Sequence, residues 1–240
     1  MTISLPGEHK DYPAAPDFDR LAPIYRWMEW LTFGPFLQRC RCSFLPNLGS
    51  RSRGLILGDG DGRFIARLLE SNPTIRIDAV DASQAMLRQL AARANTHQVL
   101  IHKADVRKFK PPQSRYDLIA THFFLDCLST AEVRDLASKL RDHSRPDTLW
   151  LVSEFALPQN SFRRIIARAL ISALYMAFGL LTNLHTHELP NHHQALADSG
   201  WNLVDRHQYL GGLLVSELWL LGSNLPAETR SENSSNRIAI

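Results

Sequence analysis

The chain has few cysteines and no large excess of charge of either sign. Three cysteines, Cys40, Cys42 and Cys127, occur among 240 residues, and this odd number suits neither a disulfide framework nor a zinc site. The formal charge is only +3, from 27 basic and 24 acidic residues, so no overall field draws the protein to nucleic acid. We therefore expect a globular protein with reduced thiols, located in the cytoplasm and without a nucleic-acid partner.

Long hydrophobic runs are also scarce, and the first residues lack the order of a signal peptide. The widest apolar stripe lies at 161–182, but its apolar part, 165–181, contains Arg168 and is at the lower limit of length for crossing a bilayer. We expect instead a lid or acceptor-pocket helix. Its basic start, with Arg163 and Arg164, would suit peripheral contact with an anionic membrane surface.

The most informative segment is a short apolar run at 54–57 that leads into three alternate glycines, Gly58, Gly60 and Gly62. This pattern predicts a strand that ends in a tight turn, where the backbone can approach a ligand closely. The apolar positions of 63–70 have helical spacing, so the turn opens a helix whose first N–H groups face the loop.

An acid, Asp81, ends the next apolar run at 75–80. A carboxylate at this position can accept both hydroxyls of an adenosine ribose, so the sequence predicts an adenosine-containing cofactor. The dinucleotide pattern G-x-G-x-x-G requires a third glycine where this chain has Arg63, and a nicotinamide cofactor is therefore a poorer match.

From residue 54 to about 221 the chain resembles class I S-adenosylmethionine-dependent methyltransferases. The three glycines match the first motif of that family. The other matching segments are 80–87, 104–106, 116–122 and 149–154. The resemblance implies S-adenosylmethionine as the cofactor and methyl transfer as the activity.

The resemblance also implies a set of cofactor-binding residues in the motifs and in the N-terminal segment. They are Gly58, Asp59, Gly60, Asp61, Gly62, Asp81, Ala82, Met86, Asp105, Val106 and Tyr25. Asp105 is expected near the adenine edge and Tyr25 over the methionine end of the cofactor, unless Tyr25 is only a core aromatic. The family often carries an acid two residues before the first glycine, where this chain has Ile56. Asp59 or Asp61 would then supply the negative charge, although Asp61 equally suits a helix-capping role.

Strands and helices alternate regularly, which predicts a Rossmann-like α/β sheet, mostly parallel, with helices on both faces. Strands are expected at 54–57, 75–81, 98–102, 116–121 and 148–154, and helices at 62–71, 83–94, 130–142 and 191–199. Two further strands, 201–207 and 213–220, form a hairpin around Gly211 and Gly212. The sheet thus has seven strands, and the resemblance implies that the last is antiparallel.

This organisation predicts a single methyltransferase domain over residues 18–222. It includes an N-terminal helical cap at 18–48 and a helical insertion over the acceptor site at 160–199. A flexible leader at 1–17 and a disordered tail at 223–240 flank the domain.

The candidate catalytic residue is His122, at the carboxyl end of the fourth predicted strand, where ligands bind in open α/β sheets. Its imidazole would accept a proton from the methyl acceptor or orient that acceptor. A buried structural histidine is the alternative interpretation. Asp126 would orient the imidazole or cap the next turn, and Glu154 would face the acceptor or pair with an arginine.

The segment after the fourth predicted strand reads His-Phe-Phe-Leu. It lacks the Asn/Asp-Pro-Pro-aromatic run that DNA amino-methyltransferases carry there and the glutamate pair of arginine methyltransferases. We expect a small, largely apolar acceptor between the aromatic cap and the 161–182 helix, by loose similarity to ubiquinone- and menaquinone-type methyltransferases. The late histidines, His185, His187, His192 and His193, form no H-E-x-x-H pattern, so no metal site is expected. The alternative functions are an inactive cofactor-binding partner protein, suggested by Ile56, and a nicotinamide oxidoreductase.

Overall fold

Seven strands form one sheet in the order β3-β2-β1-β4-β5-β7-β6 in the computed structural model. The structure describes residues 33–94, 97–112, 115–158, 160–161, 164–165, 167–170 and 189–222. The strands are β1 Arg53–Leu57, β2 Arg76–Asp81, β3 Val99–Lys103, β4 Tyr116–His122, β5 Ser144–Phe155, β6 Trp201–Tyr209 and β7 Leu214–Leu221. Strands β1 to β5 pair in parallel, and β7 runs antiparallel between β5 and β6. The predicted fold class is confirmed.

Within the described residues, five α-helices with defined bounds lie against this sheet: α1 Phe36–Arg41, α2 Arg63–Ser71, α3 Gln84–Arg93, α4 Thr130–Asp142 and α5 His192–Asp198. Their starts follow local chemistry. The Ser83 hydroxyl accepts the Met86 N–H at the start of α3. At the start of α4, Ser129 and Glu132 form a capping box, in which each side chain accepts the backbone N–H of the other residue.

The helices bury their apolar stripes on opposite faces of the sheet. Leu136 of α4 and Leu196 of α5 pack with Trp150 and Trp201 on one face. On the other face, α2 and α3 contribute a second core, formed by Phe44, Leu48, Ile56, Phe64, Ile65, Leu68, Ile77, Leu90, Ala120 and Leu151 among others. A parallel sheet covered on both faces has near-continuous apolar strands, which is why its strands were predictable from short apolar runs.

Two predicted element bounds need correction. Strand β5 begins at Ser144, four residues before the apolar run, and its pairing with β4 shifts register between Tyr116 and Leu118. Helix α5 ends at Asp198, and Gly200 follows at φ +89°, the left-handed conformation that commonly ends a helix.

Several predictions concern residues outside the described parts of the chain. These are the leader at 1–17, most of the helical cap including Tyr25, most of the 161–182 stripe, His185, His187 and the tail. Arg164, Ile165 and Arg168, at the basic start of that stripe, are exposed. No helix in the described residues is long and apolar enough to cross a membrane.

Candidate active site

The strand register brings three predicted site residues to one edge of the sheet. Leu57 of β1 pairs with Val80 of β2 on one side and with Thr121 of β4 on the other. The next residues along these strands are Gly58, Asp81 and His122. The glycine loop, the ribose-binding candidate and the proton-acceptor candidate therefore leave the sheet at the same level, at the carboxyl ends of adjacent parallel strands.

The three loop glycines adopt left-handed conformations, with φ of +69° at Gly58, +61° at Gly60 and +79° at Gly62. A Cβ atom at Gly58 would lie 2.4 Å from Phe124 Cδ2, and one at Gly62 would lie 2.9 Å from Leu90 Cγ. A Cβ atom at Gly60 would meet only Met86 Sδ, at 3.7 Å. Packing within the protein thus requires glycine at the outer positions, whereas Gly60 borders open space and can receive a ligand.

The two loop acids have different surroundings. Asp59 is buried and caps α2, because its carboxylate oxygens accept the Phe64 N–H at 3.3 Å and the Ile65 N–H at 3.0 Å. Burial raises the pKa of Asp59 to about 7, although these N–H groups and the nearby Arg41 act in the opposite direction. The capping role that was considered for Asp61 is therefore filled by Asp59.

Asp61 is engaged by arginines instead. Its carboxylate lies 2.9 Å from Arg63 Nε and 2.9 Å from Arg93 Nη2. Ile56, which replaces the usual acid of the family, is buried in the core beneath α2. With the Asp61 charge matched by two guanidinium groups, Asp59 is the better candidate to replace the carboxylate that Ile56 lacks.

Asp81 and Met86 lie in the turn that starts α3. The Asp81 carboxylate accepts the Ser83 N–H at 2.8 Å, which holds the side chain at the end of β2, with Ala82 between them. Met86 is buried in the first turn of the helix, and its sulfur faces Gly60. The second motif therefore borders the open side of the glycine loop.

The third motif follows β3. The Asp105 carboxylate binds the Arg107 guanidinium, with the shortest contact 2.6 Å long. Partial burial acts to raise the pKa of Asp105, but the Arg107 hydrogen bonds and charge outweigh it and the pKa is lowered. Val106 is buried in the core beside α4. Asp105 is thus an ionised, partly buried carboxylate that is held by Arg107, two residues further along the chain.

His122 is buried at 3% exposure and packs against Phe64, with 4.3 Å between ring centroids. Its Nδ1 lies 3.0 Å from Ser153 Oγ, so Ser153, and not Asp126, is the hydrogen-bond partner that orients the ring. Its Nε2 is buried and has no hydrogen-bond partner among the described residues. Burial, reinforced by the Arg41 charge, lowers the pKa of His122 well below 6.5, so the imidazole is neutral.

The loop after β4 is held in a constrained conformation beside this histidine. Phe123 has φ of +52°, which is unusual for a bulky residue and is found mostly where surrounding contacts enforce it. Glu154 supplies such contacts, because its Oε1 accepts the Phe124 N–H at 3.1 Å and the Leu125 N–H at 2.8 Å. Burial, and then the neighbouring Asp126, raise the pKa of Glu154 well above its usual range. The partners of Glu154 are loop amides rather than the arginine that was considered.

Sequence reasoning missed two residues of this region. Ser153 is one hydroxyl in a buried strand, and only the pairing of β4 with β5 shows that it lies opposite His122. Arg41 ends α1, is 5% exposed, and places its guanidinium carbon 5.3 Å from the Phe123 ring centroid. A buried arginine close to an aspartate and a histidine is a candidate for binding an anionic group.

Residues 55–147 match the family model described as a methyltransferase domain. This central part of the chain is therefore similar to methyltransferase domains. The match covers most of β1 to the start of β5, which includes the glycine loop, Asp81, Asp105 and His122. No curated protein sequence matches the chain.

Solved structures share the architecture of the methyltransferase domain at low sequence identity. The riboflavin-analogue dimethyltransferase RosA from Streptomyces davawensis has a TM-score of 0.56 and 19% identity over 78% of this chain and 55% of its own. The N-methyltransferase NodS from Bradyrhizobium japonicum, solved with S-adenosyl-L-homocysteine, has a TM-score of 0.55 and 15% identity, over 78% of this chain and 85% of its own. The mitomycin 7-O-methyltransferase MmcR has a TM-score of 0.62 and 14% identity, over 86% of this chain and 61% of its own. The chain thus spans little more than half the length of two of these proteins.

Proposed function

We propose that this protein transfers a methyl group from S-adenosylmethionine to a small, largely apolar acceptor. The observation that carries the proposal is the convergence of the open glycine loop, the Asp81 carboxylate and the neutral His122 at one sheet edge. S-adenosylmethionine, when bound, supplies a methyl group that is already activated. The work left to the protein is to position the acceptor and to exclude water.

The residues present fit this cofactor. The free space over Gly60 allows close backbone approach, and Asp81 is oriented at the next strand end to accept the ribose hydroxyls. Asp59, once ionised, would hold the ammonium group of the methionine part. Asp105 and Val106 would lie on the adenine side, and Tyr25 remains a candidate for the methionine end.

The hydrogen bonds of Ser153 favour His122 as a proton acceptor. The Ser153 hydroxyl has the Cys40 carbonyl oxygen 3.4 Å away, and a carbonyl can only accept. If the hydroxyl donates there, its oxygen accepts Nδ1–H of His122 and leaves Nε2 as the bare basic nitrogen. A neutral imidazole in this tautomer can take a proton from a phenol, enol or amine as the acceptor atom bonds to the methyl group.

The surroundings of this edge support an apolar acceptor. A third apolar cluster contains residues of the α1 region, the loop after β4, the segment after β5 and the β6–β7 turn. Its members are Phe33, Phe36, Leu37, Cys40, Phe123, Phe155, Leu157, Ala167, Leu170, Leu189, Tyr209, Leu213 and Leu214. This apolar cluster beside the site supports a lipophilic phenol or quinol as the acceptor class that we favour.

Calorimetric titration with S-adenosylhomocysteine, with NADH as the control, tests the proposal. We expect micromolar binding of the first compound alone, followed by turnover in a screen that starts with lipophilic phenols and quinols. Binding without turnover on any acceptor or extract would favour the inactive partner protein. Binding of NADH alone would favour an oxidoreductase.

Replacing Asp81 by alanine is expected to weaken S-adenosylhomocysteine binding by about 1.5–3 kcal/mol, the value of hydrogen bonds to a charged group. Calorimetry measures the change. Asp142→Ala is the matched control, because Asp142 is an exposed acid at the end of α4. A change below a tenth of the expected value, with both variants folded, would contradict the ribose role.

Cofactor affinity is expected to depend on pH through Asp59. Its pKa near 7 means that the carboxyl holds a proton at pH 6 and has lost it at pH 8. An ammonium group binds the ionised form, so S-adenosylhomocysteine affinity should fall about tenfold from pH 8 to pH 6. Asp59→Asn should remove this dependence in calorimetric titrations, whereas Asp61→Asn should retain it. A flat wild-type profile would show that Asp59 does not contact the ammonium group.

A further inference from the structure

We propose that His192, His193 and Glu217 form a binding site for a divalent transition-metal ion of the zinc type. The site is separate from the methyl-transfer edge and does not rest on the proposed function. It lies where α5 packs on β7. The proposal departs from our expectation that the late histidines bind no metal, and the experiment below tests which of the two is right.

The three side chains converge on a small volume. His193 Nε2 lies 2.6 Å from Glu217 Oε1, and His192 Nε2 lies 3.2 Å from Glu217 Oε2. One ligand atom from each residue falls within 4.8 Å of the others. Two imidazole nitrogens and one carboxylate are a ligand set that zinc uses with a fourth position open to water.

The site faces away from His122. Ser216 Oγ lies 3.5 Å from Ser153 Oγ, and Ser153 in turn contacts His122, so Ser216 is on the His122 side of the sheet. Successive side chains of a strand point to opposite faces, so Glu217 lies on the other side of the sheet. Metal bound there would connect α5 to β7 without entering the methyl-transfer site.

The surroundings of the cluster match those of a metal centre. The indole N–H of Trp219 donates to Glu217 Oε2 at 3.1 Å and would keep the carboxylate oriented. Glu217 is fully buried, whereas the His193 side chain is 38% exposed and gives an ion a path from solvent. The buried Glu217 carboxylate and the partly exposed His193 imidazole together allow an ion to bind and to exchange with solvent.

Arg206 is the competing cation in this site. Its Nε lies 3.2 Å from Glu217 Oε1, and its side chain, on the edge strand β6, is 34% exposed. A guanidinium this close opposes a second cation, so metal entry requires Arg206 to turn into solvent. The two imidazoles now make hydrogen bonds to the same carboxylate, and a metal ion would take the place of these bonds.

The test uses untagged, full-length protein treated with a chelator and then titrated with Zn²⁺, or with Co²⁺ as a spectroscopic probe. We expect one equivalent to bind at micromolar concentration, visible Co²⁺ absorption typical of low coordination number, and a raised unfolding temperature. His193→Ala should weaken binding by at least about 100-fold, since even the loss of outer partners costs 10–100-fold. Glu217→Gln keeps the shape of the side chain but removes its charge, and it should also weaken metal binding. Arg206→Gln should strengthen binding several-fold, a result that a purely structural network does not predict.

His102→Ala is the matched control. His102 also pairs with a largely buried carboxylate, at 2.7 Å from Asp78 Oδ1, but no second imidazole completes a site there among the described residues. Its loss should leave metal affinity unchanged. Weak, non-saturating binding, or full affinity retained in His193→Ala, would overturn the proposal and assign any bound metal to other residues.

Discussion

Replacing Gly60 by asparagine is expected to reduce S-adenosylhomocysteine affinity by at least about 100-fold while the fold survives. Asparagine tolerates the left-handed conformation that Gly60 adopts, with φ of +61°. Its Cβ would meet only Met86 Sδ, at 3.7 Å, so the ligand-free protein can accommodate the side chain. The side chain would then occupy the space through which the cofactor approaches the backbone.

Variants at other glycines separate this effect from strain. Gly60→Val should also lose binding, with an additional stability cost of about 1–3 kcal/mol because a β-branched residue is strained at positive φ. Gly58→Asn should instead unfold or distort the protein, since its Cβ would collide with Phe124. Gly49→Ala, at φ −62° with nothing within 4 Å of the new atom, should change neither property. Calorimetry and thermal unfolding measure both quantities, and normal binding by Gly60→Asn would contradict the loop assignment.

The inner strands of the sheet were predictable because they are buried on both faces. Runs such as 54–57 and 118–120 contain no polar side chain, and turn residues follow the strands that contain them. The glycine loop and Asp81 were recognisable for a related reason. Each follows directly from a strand end, so the chain positions it without reference to distant segments.

Contacts between distant segments could not be predicted in this way. Ser153 meets His122 across 31 residues, and only the β4–β5 register, which includes an irregularity after Tyr116, brings them together. The pairing of His192 and His193 with Glu217 likewise depends on where α5 crosses β7. These contacts depend on register and helix packing, which a pattern of apolar residues leaves open.

The roles of the two loop acids depended on backbone geometry. Sequence spacing places Asp61 next to the helix start, where a capping acid is common. Gly62 takes the N-cap position at φ +79°, and the turn before it directs Asp59 to the first free N–H groups. Because Gly62 is left-handed, the capping carboxylate is that of Asp59 and not that of Asp61, two residues later.

Replacing His122 by alanine is expected to lower methyl transfer by about 10²–10⁴-fold, the usual contribution of a positioned general base. S-adenosylhomocysteine affinity should change less than about threefold, because the predicted cofactor contacts come from the strands and loops beside it. Ser153→Ala should lower turnover less, since it removes only the partner of Nδ1. His102→Ala is the control for the loss of a histidine from the end of a strand.

The pH profile distinguishes a proton acceptor from a packing residue. Because the pKa of His122 lies well below 6.5, the basic form persists as pH falls through the ordinary range of histidine. At saturating cofactor, which removes the Asp59 effect on binding, turnover should stay flat through pH 6.5 and fall only in more acidic solution. Turnover retained in His122→Ala would make the histidine structural, and methyl transfer would then depend on positioning alone. A large loss in His122→Ala with unchanged cofactor affinity, together with the flat profile, would support a role of the imidazole in methyl transfer, for which Nε2 is the nitrogen without a hydrogen-bond partner among the described residues.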